Sequence, residues 1–447
     1  MTAGLAVTRA ELDRAGLLLD LDVESAGTAV GRLAGDTVLL GGIEWIGDEH
    51  YEVREPLRLA VRSGGWVPAL TAAARAGEVP VFVHTHPGGQ AFFSDADDAV
   101  DVTIGTELAR ITGCPTVASV VLGGTAGLPQ VAMRRVVEGR LGPRESVRIA
   151  GTAFGFQPPP DVAVASAVFD RQDRAYGPEG RAVLEALTVG VVGAGGTGSP
   201  THEQLYRLGV GTVISIDDDV VTEPTPTRTY GTGAADLNMP KVDAMARLND
   251  TIGLGTRHVP LALNVRNPEA EVALAACDVI FGCTDGHYSR IVLNRIAYYH
   301  LIPVIDMGVL ISTNADTGAI TGIDERITVV APGSPCLLCL GRIDIAKARA
   351  ENLDPAQRRA LADEGYLADI DEPAPAVVAY TTMTSAHAVT TMLHRLFNIG
   401  ENRHTEQFIQ PLLGTVRNTT ATARPGCTCG DPANWGQGFT IPRLGLG

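Results

Sequence analysis

Residues 84–97, "HTHPGGQAFFSDAD", bring His84, His86, Ser94 and Asp97 within fourteen positions. His84 and His86 sit two apart at the end of the apolar run "VPVFVHTHP". A strand places residues i and i+2 on one face, so both imidazoles can converge on one ion. Pro87 stops the strand, and Asp97 follows His86 by eleven residues, just inside a helix predicted to begin near Ser94. Two histidines and a carboxylate leave a tetrahedral zinc with one open position for water, the arrangement of a catalytic site. A nearby carboxylate must then take the water's proton. The same string also reads as a plain helix start, with Ser94 as cap and Asp97 in the favourable first turn.

A second chemical signal is "VVGAGGTGS", residues 191–199. Gly193, Gly195, Gly196 and Gly198 let backbone amides approach a phosphate at a helix N-terminus. On the glycines alone NAD, FAD and ATP fit equally, and a hydride-transferring Rossmann enzyme remains open. The surrounding residues favour ATP. Arg171 precedes the loop, Arg228 lies in "TPTRTYG", Lys241 follows thirteen residues later, and Asp285 ends a later strand in "DVIFGCTDG". An acidic group for ribose or magnesium, with Arg and Lys for a triphosphate, suits adenylation. In that reaction a carboxylate attacks the α-phosphate, pyrophosphate leaves, and cations neutralise the developing charge. Hydride transfer has no need of such a set.

Third, "PCLLCL" holds Cys336 and Cys339, and "GCTCG" holds Cys427 and Cys429. Four thiolates in two close pairs suit a closed, structural zinc. Of the seven cysteines, Cys277 and Cys283 flank an apolar strand and read as core. An odd number in so long a chain does not suggest a disulfide scaffold, and a reducing cytoplasm fits best.

The elements that must hold these residues fall into two regions. Residues 1–150 mix short strands ("GDTVLLGGIEWI", "PVFVHTHP") with a helix, "GWVPALTAAARAG", ending on Gly77. Residues 151–168 include three consecutive prolines and no helical or strand period, and are expected to be a linker. From residue 169 to 447 strands and helices alternate: "TVGVVGAG", "SPTHEQLYRLG", "GTVISIDDD", "KVDAMARLNDT", "ACDVIFGCTD", "IPVIDMGV". This pattern predicts an open, mainly parallel α/β sheet. A chain of 447 residues exceeds one ordinary core, and 45% apolar with 19% charged residues is a folded composition. A net charge of −16 argues against non-specific nucleic-acid binding and against an anionic membrane surface. The N-terminus lacks the basic and apolar regions of a signal peptide, and no apolar run is long enough to span a bilayer.

His84, Thr85, His86 and Pro87, then six residues, Ser94, two residues and Asp97 match the signature of the JAMM metalloprotease family without a gap. The resemblance covers roughly residues 1–145. It implies zinc on His84, His86 and Asp97, Ser94 hydrogen-bonding the tetrahedral intermediate, and an upstream glutamate as general base. Glu24, Glu44, Glu49, Glu52 and Glu55 are available, and Glu24 in "DVESAGTAVGRL" suits the role by its context. Members cleave peptide or isopeptide bonds after the C-terminal glycine of ubiquitin-like proteins.

Residues 169–430 resemble the E1-like superfamily of ThiF, MoeB and the adenylation domains of ubiquitin-activating enzymes. The resemblance implies Asp217 at the ribose, Asp219 near magnesium, Arg228 and Lys241 at the phosphates, and Asp285 on magnesium. Arg171 matches the arginine that enters a partner subunit's site, which implies a homodimer, and Arg290 matches a structural helper. Thr225 and Thr229 stand where the family has Asn and Gln, and Gly286 replaces the Asn of Thr-Asp-Asn, so nucleotide contacts differ. The Cys336/Cys339 and Cys427/Cys429 pairs match the family's zinc site, with the second pair one residue tighter. Residues 341–426 contain no cysteine, which points to adenylation without the usual enzyme-bound thioester.

The expectation is therefore an N-terminal JAMM-type α/β domain followed by a Rossmann-like adenylating domain, with ATP, Mg2+ and Zn2+ as cofactors. The partner would be a ubiquitin-like or sulfur-carrier β-grasp protein, joined by an E2-like or sulfur-donor protein, with no nucleic acid or membrane. Other outcomes are an E1-like peptide-modifying enzyme of a biosynthetic pathway, or a JAMM-fold module acting as a scaffold.

Overall fold

The computed structural model describes residues 3–160, 167–351, 353, 356–357, 375–401 and 404–439. The N-terminal region is built on one ten-stranded sheet. Its order runs from Arg140–Glu145 through Leu128–Val137, Thr116–Thr125, Val79–Pro87, Ala26–Ala34, Thr37–Leu40, Leu5–Thr8 and Val147–Ala150 to Gly155–Gln157, with Glu44–Trp45 paired to Ala26–Ala34. Period-2 apolar residues supply both faces of these strands. Val7, Val38, Val81, Val120 and Met133 pack with Leu12 and Ala15 of the helix Arg9–Gly16. On the other face Phe82 and Val117 meet Leu70 of the helix Val67–Arg75 and Ile104 and Leu108 of the helix Asp95–Thr112.

The C-terminal region is built on an eight-stranded sheet. Five strands are parallel in the order Arg257–Leu261, Thr212–Ile216, Thr188–Val192, Val279–Gly282 and Val304–Thr313. Three antiparallel strands, Ile320–Val330, Glu406–Gln410 and Thr415–Thr419, extend it. The helices Asp170–Ala186, Gly198–Leu208 and Val378–Leu396 cover one face, while Pro268–Ala275 and His287–Tyr299 cover the other. Chain order reverses between Thr188–Val192 and its neighbour Val279–Gly282. In an open α/β sheet such a switch point leaves a crevice beyond the carboxyl ends of the two strands.

The expected linker is corrected in part. Gly155–Gln157 is a strand, antiparallel to Val147–Ala150, and Phe154 and Phe156 are buried in the C-terminal core. Those two phenylalanines are a minimal period-2 signal, hidden in sequence by the prolines at 158–160 that follow. Residues 161–166 lie outside the described set.

The two regions meet through buried contacts. Arg148, 1% exposed, donates to the carbonyls of Cys277 (2.7 Å), His300 (3.0 Å) and Leu301 (3.0 Å) and pairs with Asp278. Its cation thus serves carbonyls just past the C-termini of two helices, Pro268–Ala275 and His287–Tyr299. The final described segment adds a strap. Gly436 N donates to Tyr298 O and Gly438 N to Tyr299 O, while Arg32 donates to Gly436 O and Gln437 Oε1. No helix among the described residues is long and apolar enough to cross a membrane.

Candidate functional site

In the N-terminal region the strands Ala26–Ala34 and Val79–Pro87 run antiparallel with Ala26 opposite His84. Ser25 and Thr85 continue the pairing: Thr85 N donates to Ser25 O (2.9 Å) and Ser25 N to Thr85 Oγ1 (2.9 Å). The same register carried one step further sets Glu24 across from His86, on the face that holds both histidines. Ser94 caps the helix Asp95–Thr112. Its Oγ accepts from Asp97 N (3.3 Å), and Asp97 Oδ2 accepts from Ser94 N (2.7 Å) and Oγ (2.8 Å). The helix-cap reading of "SDAD" is therefore what the structure shows, and the cap leaves the other carboxylate oxygen facing the histidines. Asp97 Oδ1 lies 3.0 Å from His84 Nε2, and Oδ2 lies 3.6 Å from His86 Nε2.

The three donor atoms fall within 4.8 Å of one another. Among the described residues neither buried ring nitrogen of His84 has a hydrogen-bond partner, although Nε2 is close to Asp97. An orphaned, buried imidazole beside a second imidazole and a carboxylate fits a zinc ligand set. Burial works to raise Asp97, but His84 and the Ser94 donors outweigh it and hold the carboxyl well below its usual range. Glu24, 7% exposed, behaves oppositely: burial pushes it up to about 7, with His84 partly opposing. Two carboxyls driven apart in this way are suited to different roles, one a ligand and one a proton acceptor. The other sequence candidates, Glu44, Glu49, Glu52 and Glu55, are all exposed.

At the crevice of the C-terminal sheet, Gly193 has φ +99°, and a Cβ there would lie 2.5 Å from Cys283 O. Only glycine serves at such a position. The loop opens the helix Gly198–Leu208, and Gly195 faces open space. Asp217, at the end of the adjoining strand, accepts from Ala194 N (2.6 Å) with Oδ2 and from Asp219 N (2.8 Å) with Oδ1. Burial raises Asp217, opposed by Lys241 and these amides. Lys241, 7% exposed, donates to Asp219 Oδ2 (2.6 Å). Asp285 is exposed two residues beyond Cys283, and Arg290 donates to the carbonyls of Thr284 (2.9 Å) and Asp285 (3.2 Å) and to Asp306 (3.2 Å). Thus Ala194 of the glycine loop, Asp217, Asp219 and Lys241 form one chain of hydrogen bonds, with Asp285 on the flanking strand end. Arg171 is exposed on the helix Asp170–Ala186 and Arg228 is half-buried; neither side chain pairs with a described residue.

The four cysteine sulfurs also converge within 4.8 Å. Cys336–Cys427 is 3.8 Å, Cys339–Cys429 is 3.7 Å and Cys427–Cys429 is 3.4 Å. The amides of Cys339 and Arg424 donate to the sulfurs of Cys336 (3.4 Å) and Cys339 (3.3 Å). The Cys336 thiol is drawn down to about 5, chiefly by its contact with Cys429. Such a cluster suits a closed tetrathiolate zinc. Cys277 is buried and burial pushes its thiol well up, and Cys283 is pushed up to about 12 by burial.

Sequence reasoning missed Asp101 and Arg134, a buried ion pair behind Asp97, and Thr381, whose side chain packs on Gly196 from the helix Val378–Leu396. The apolar period of that helix was the available signal for Thr381. No local pattern links Arg134 to Asp101.

Residues 169–429 match the model of the ThiF family, and residues 17–136 match that of prokaryotic homologues of the JAB domain. Among curated proteins, the SAMP-activating enzyme E1 of Haloferax volcanii is 29% identical over 164 residues, 37% of this chain and 57% of that one. The adenylyltransferase and sulfurtransferase UBA4 of Yarrowia lipolytica is 30% identical over 135 residues, 30% and 34% of the two chains. Ubiquitin-like modifier-activating enzyme 5 of Drosophila persimilis is 28% identical over 229 residues, 48% and 53%. The chain therefore covers between 34% and 57% of the length of these three relatives. The solved structure of MccB from E. coli aligns at 15% identity and TM-score 0.47, over 62% of this chain and 76% of that one. With more than half its length matched, the chain belongs to the ThiF family, and it carries a JAB-type domain ahead of the ThiF region.

Proposed function

We propose that the C-terminal region, residues 169–447, adenylates the C-terminal glycine of a ubiquitin-like or sulfur-carrier protein with MgATP. The observation that carries this reading is the tie of Asp217 to the glycine loop at the switch point, extended through Asp219 to Lys241, with Asp285 exposed beside it. The names of the Haloferax and Yarrowia relatives, an activating enzyme and an adenylyltransferase, support it. The loop amides and the N-terminus of the helix Gly198–Leu208 cradle phosphate. Asp217 would hold the ribose, Asp219 and Asp285 would be the carboxylates for magnesium, and Lys241 and Arg228 would neutralise charge as pyrophosphate departs. Lys241 leaves or shares its Asp219 partner when the nucleotide enters. Exposed Arg171 extends toward a second subunit's site, so the active form is a homodimer.

Among the described residues no thiol near the loop is suited to a thioester. Cys277 and Cys283 are held protonated, Cys336, Cys339, Cys427 and Cys429 are committed to one another, and Cys114 donates to Thr116 O in the N-terminal sheet. The acyl adenylate is therefore consumed by an external nucleophile, a sulfur donor or an acceptor amine.

The N-terminal region, residues 1–150, is a zinc peptidase or isopeptidase acting on the same class of carrier. His84, His86 and Asp97 would hold a zinc ion, which would supply Lewis-acid activation of water and of the scissile carbonyl. Glu24, whose carboxyl burial pushes up to about 7, would accept the water's proton. The Ser94 hydroxyl, which donates to Asp97 Oδ2 here, would turn from that carboxylate to donate to the developing oxyanion.

ATP–pyrophosphate exchange with a β-grasp protein ending in Gly-Gly tests the first activity, and cleavage of a carrier extended beyond that glycine tests the second. Exchange that stays at background with such carriers would remove the adenylation reading.

A further inference from the structure

Arg134 stands on the strand Leu128–Val137, two strands from His84 and His86, and its side chain is 7% exposed. Its guanidinium reaches the helix that carries Asp97. Nε and Nη2 donate to Asp101 Oδ2 (2.8 and 2.6 Å), and Nη1 donates to Asp98 Oδ1 (2.5 Å). The guanidinium also lies over the Phe93 ring, 3.9 Å from its centroid. The three groups it grips bracket the ligand: Asp98 follows Asp97 directly, Asp101 is one turn further on, and Phe93 precedes the cap Ser94.

We infer that Arg134 is a positioning residue for the ion held by His84, His86 and Asp97, acting through Asp98, Asp101 and Phe93. The inference rests on the zinc reading of that site. Stability alone gives little reason for the arrangement, because well-packed apolar residues usually serve as well as a buried ion pair. The planar fork of arginine does what an apolar contact or a lysine cannot: it fixes two carboxylates on successive turns against one strand. The rotation of the first helical turn, and so the direction of the Asp97 carboxylate, is set from outside by Arg134 and from inside by the Ser94 cap. A metal site tolerates only a few tenths of an ångström in its donors, and changing the groups behind the donors typically weakens metal affinity by about 10- to 100-fold.

The test uses the full chain and cobalt as the probe ion, with affinity measured by chelator competition. The four-cysteine cluster is an internal control, because thiolate-bound cobalt has its own charge-transfer band. In Arg134→Met the affinity of the His/His/Asp site is expected to fall at least about 10-fold, with the thiolate band unchanged. If that variant does not fold, Arg134→Lys, which keeps charge and stem but loses the fork, is read in the same way. Wild-type affinity in a folded variant overturns the positioning role. A wild-type chain that takes up only thiolate-bound cobalt overturns the zinc reading, and this inference with it.

Discussion

Asp217 Oδ2 accepts a hydrogen bond from Ala194 N at 2.6 Å, joining the end of one parallel strand to the glycine loop that follows its neighbour. The same carboxylate receives Asp219 N through Oδ1. One side chain therefore shapes the loop and orders the acidic turn beside it.

Asp217→Ala should raise the KM for ATP about 10-fold or more. It also strands the Ala194 amide and costs about 1–3 kcal/mol of stability. Initial rates of pyrophosphate exchange at varied ATP, with a urea titration, check both. An unchanged KM in the folded variant would take Asp217 out of the nucleotide site.

The four-cysteine cluster anchors the strap between the regions. Cys429 O accepts from Trp435 Nε1 (3.1 Å), and Trp435 packs with Ala6, Ala34, Leu39 and Ala150 of the N-terminal sheet and Leu301 of the C-terminal region. Cys429→Ser should lose one zinc equivalent and loosen residues 435–439. Faster amide exchange at Gly436 and Gly438, with a lowered melting temperature, is the expected result. Protection equal to wild type would show that the strap holds without the cluster.

Two buried histidines predict an acid sensitivity. His202 bridges Gly198 O (2.8 Å) and Ser215 Oγ (2.8 Å), and burial, then His258, pushes it down to about 3. His258, beside the Tyr206 hydroxyl (2.5 Å), is pushed down to about 4 by burial. Both are neutral in the fold, whereas in the unfolded chain they take up protons near pH 6.5. Their contribution is thus complete above about pH 6.5 and is lost as pH falls toward 4, on the order of 1 kcal/mol per pH unit for each. Urea midpoints between pH 7 and 4.5 should fall, and less steeply in His202→Gln. A midpoint that rises on acidification would contradict the assignment.

What the sequence made legible was local. The strand period of "VFVHTHP", the Ser94 cap and the glycine loop each set geometry within a few residues, so His84, His86, Asp97 and Gly193 could be read from spacing. The match to Glu24 drew on family resemblance, because sixty residues separate it from His84 and only the Ala26–His84 register brings the two together. Arg148 and Arg134 were illegible for the same reason: each is buried by partners far along the chain. The strand Gly155–Gln157 was obscured because three residues carry too little pattern to outweigh the adjacent prolines.

The two chemistries run at independent sites in this proposal, and a crossed pair of variants assayed for both activities tests that independence most directly. Asp285→Ala should abolish ATP–pyrophosphate exchange while leaving cleavage of an extended carrier intact. Glu24→Ala should retain exchange while slowing cleavage by about 100-fold or more. If either folded single variant lost both activities, the two-site account would be contradicted.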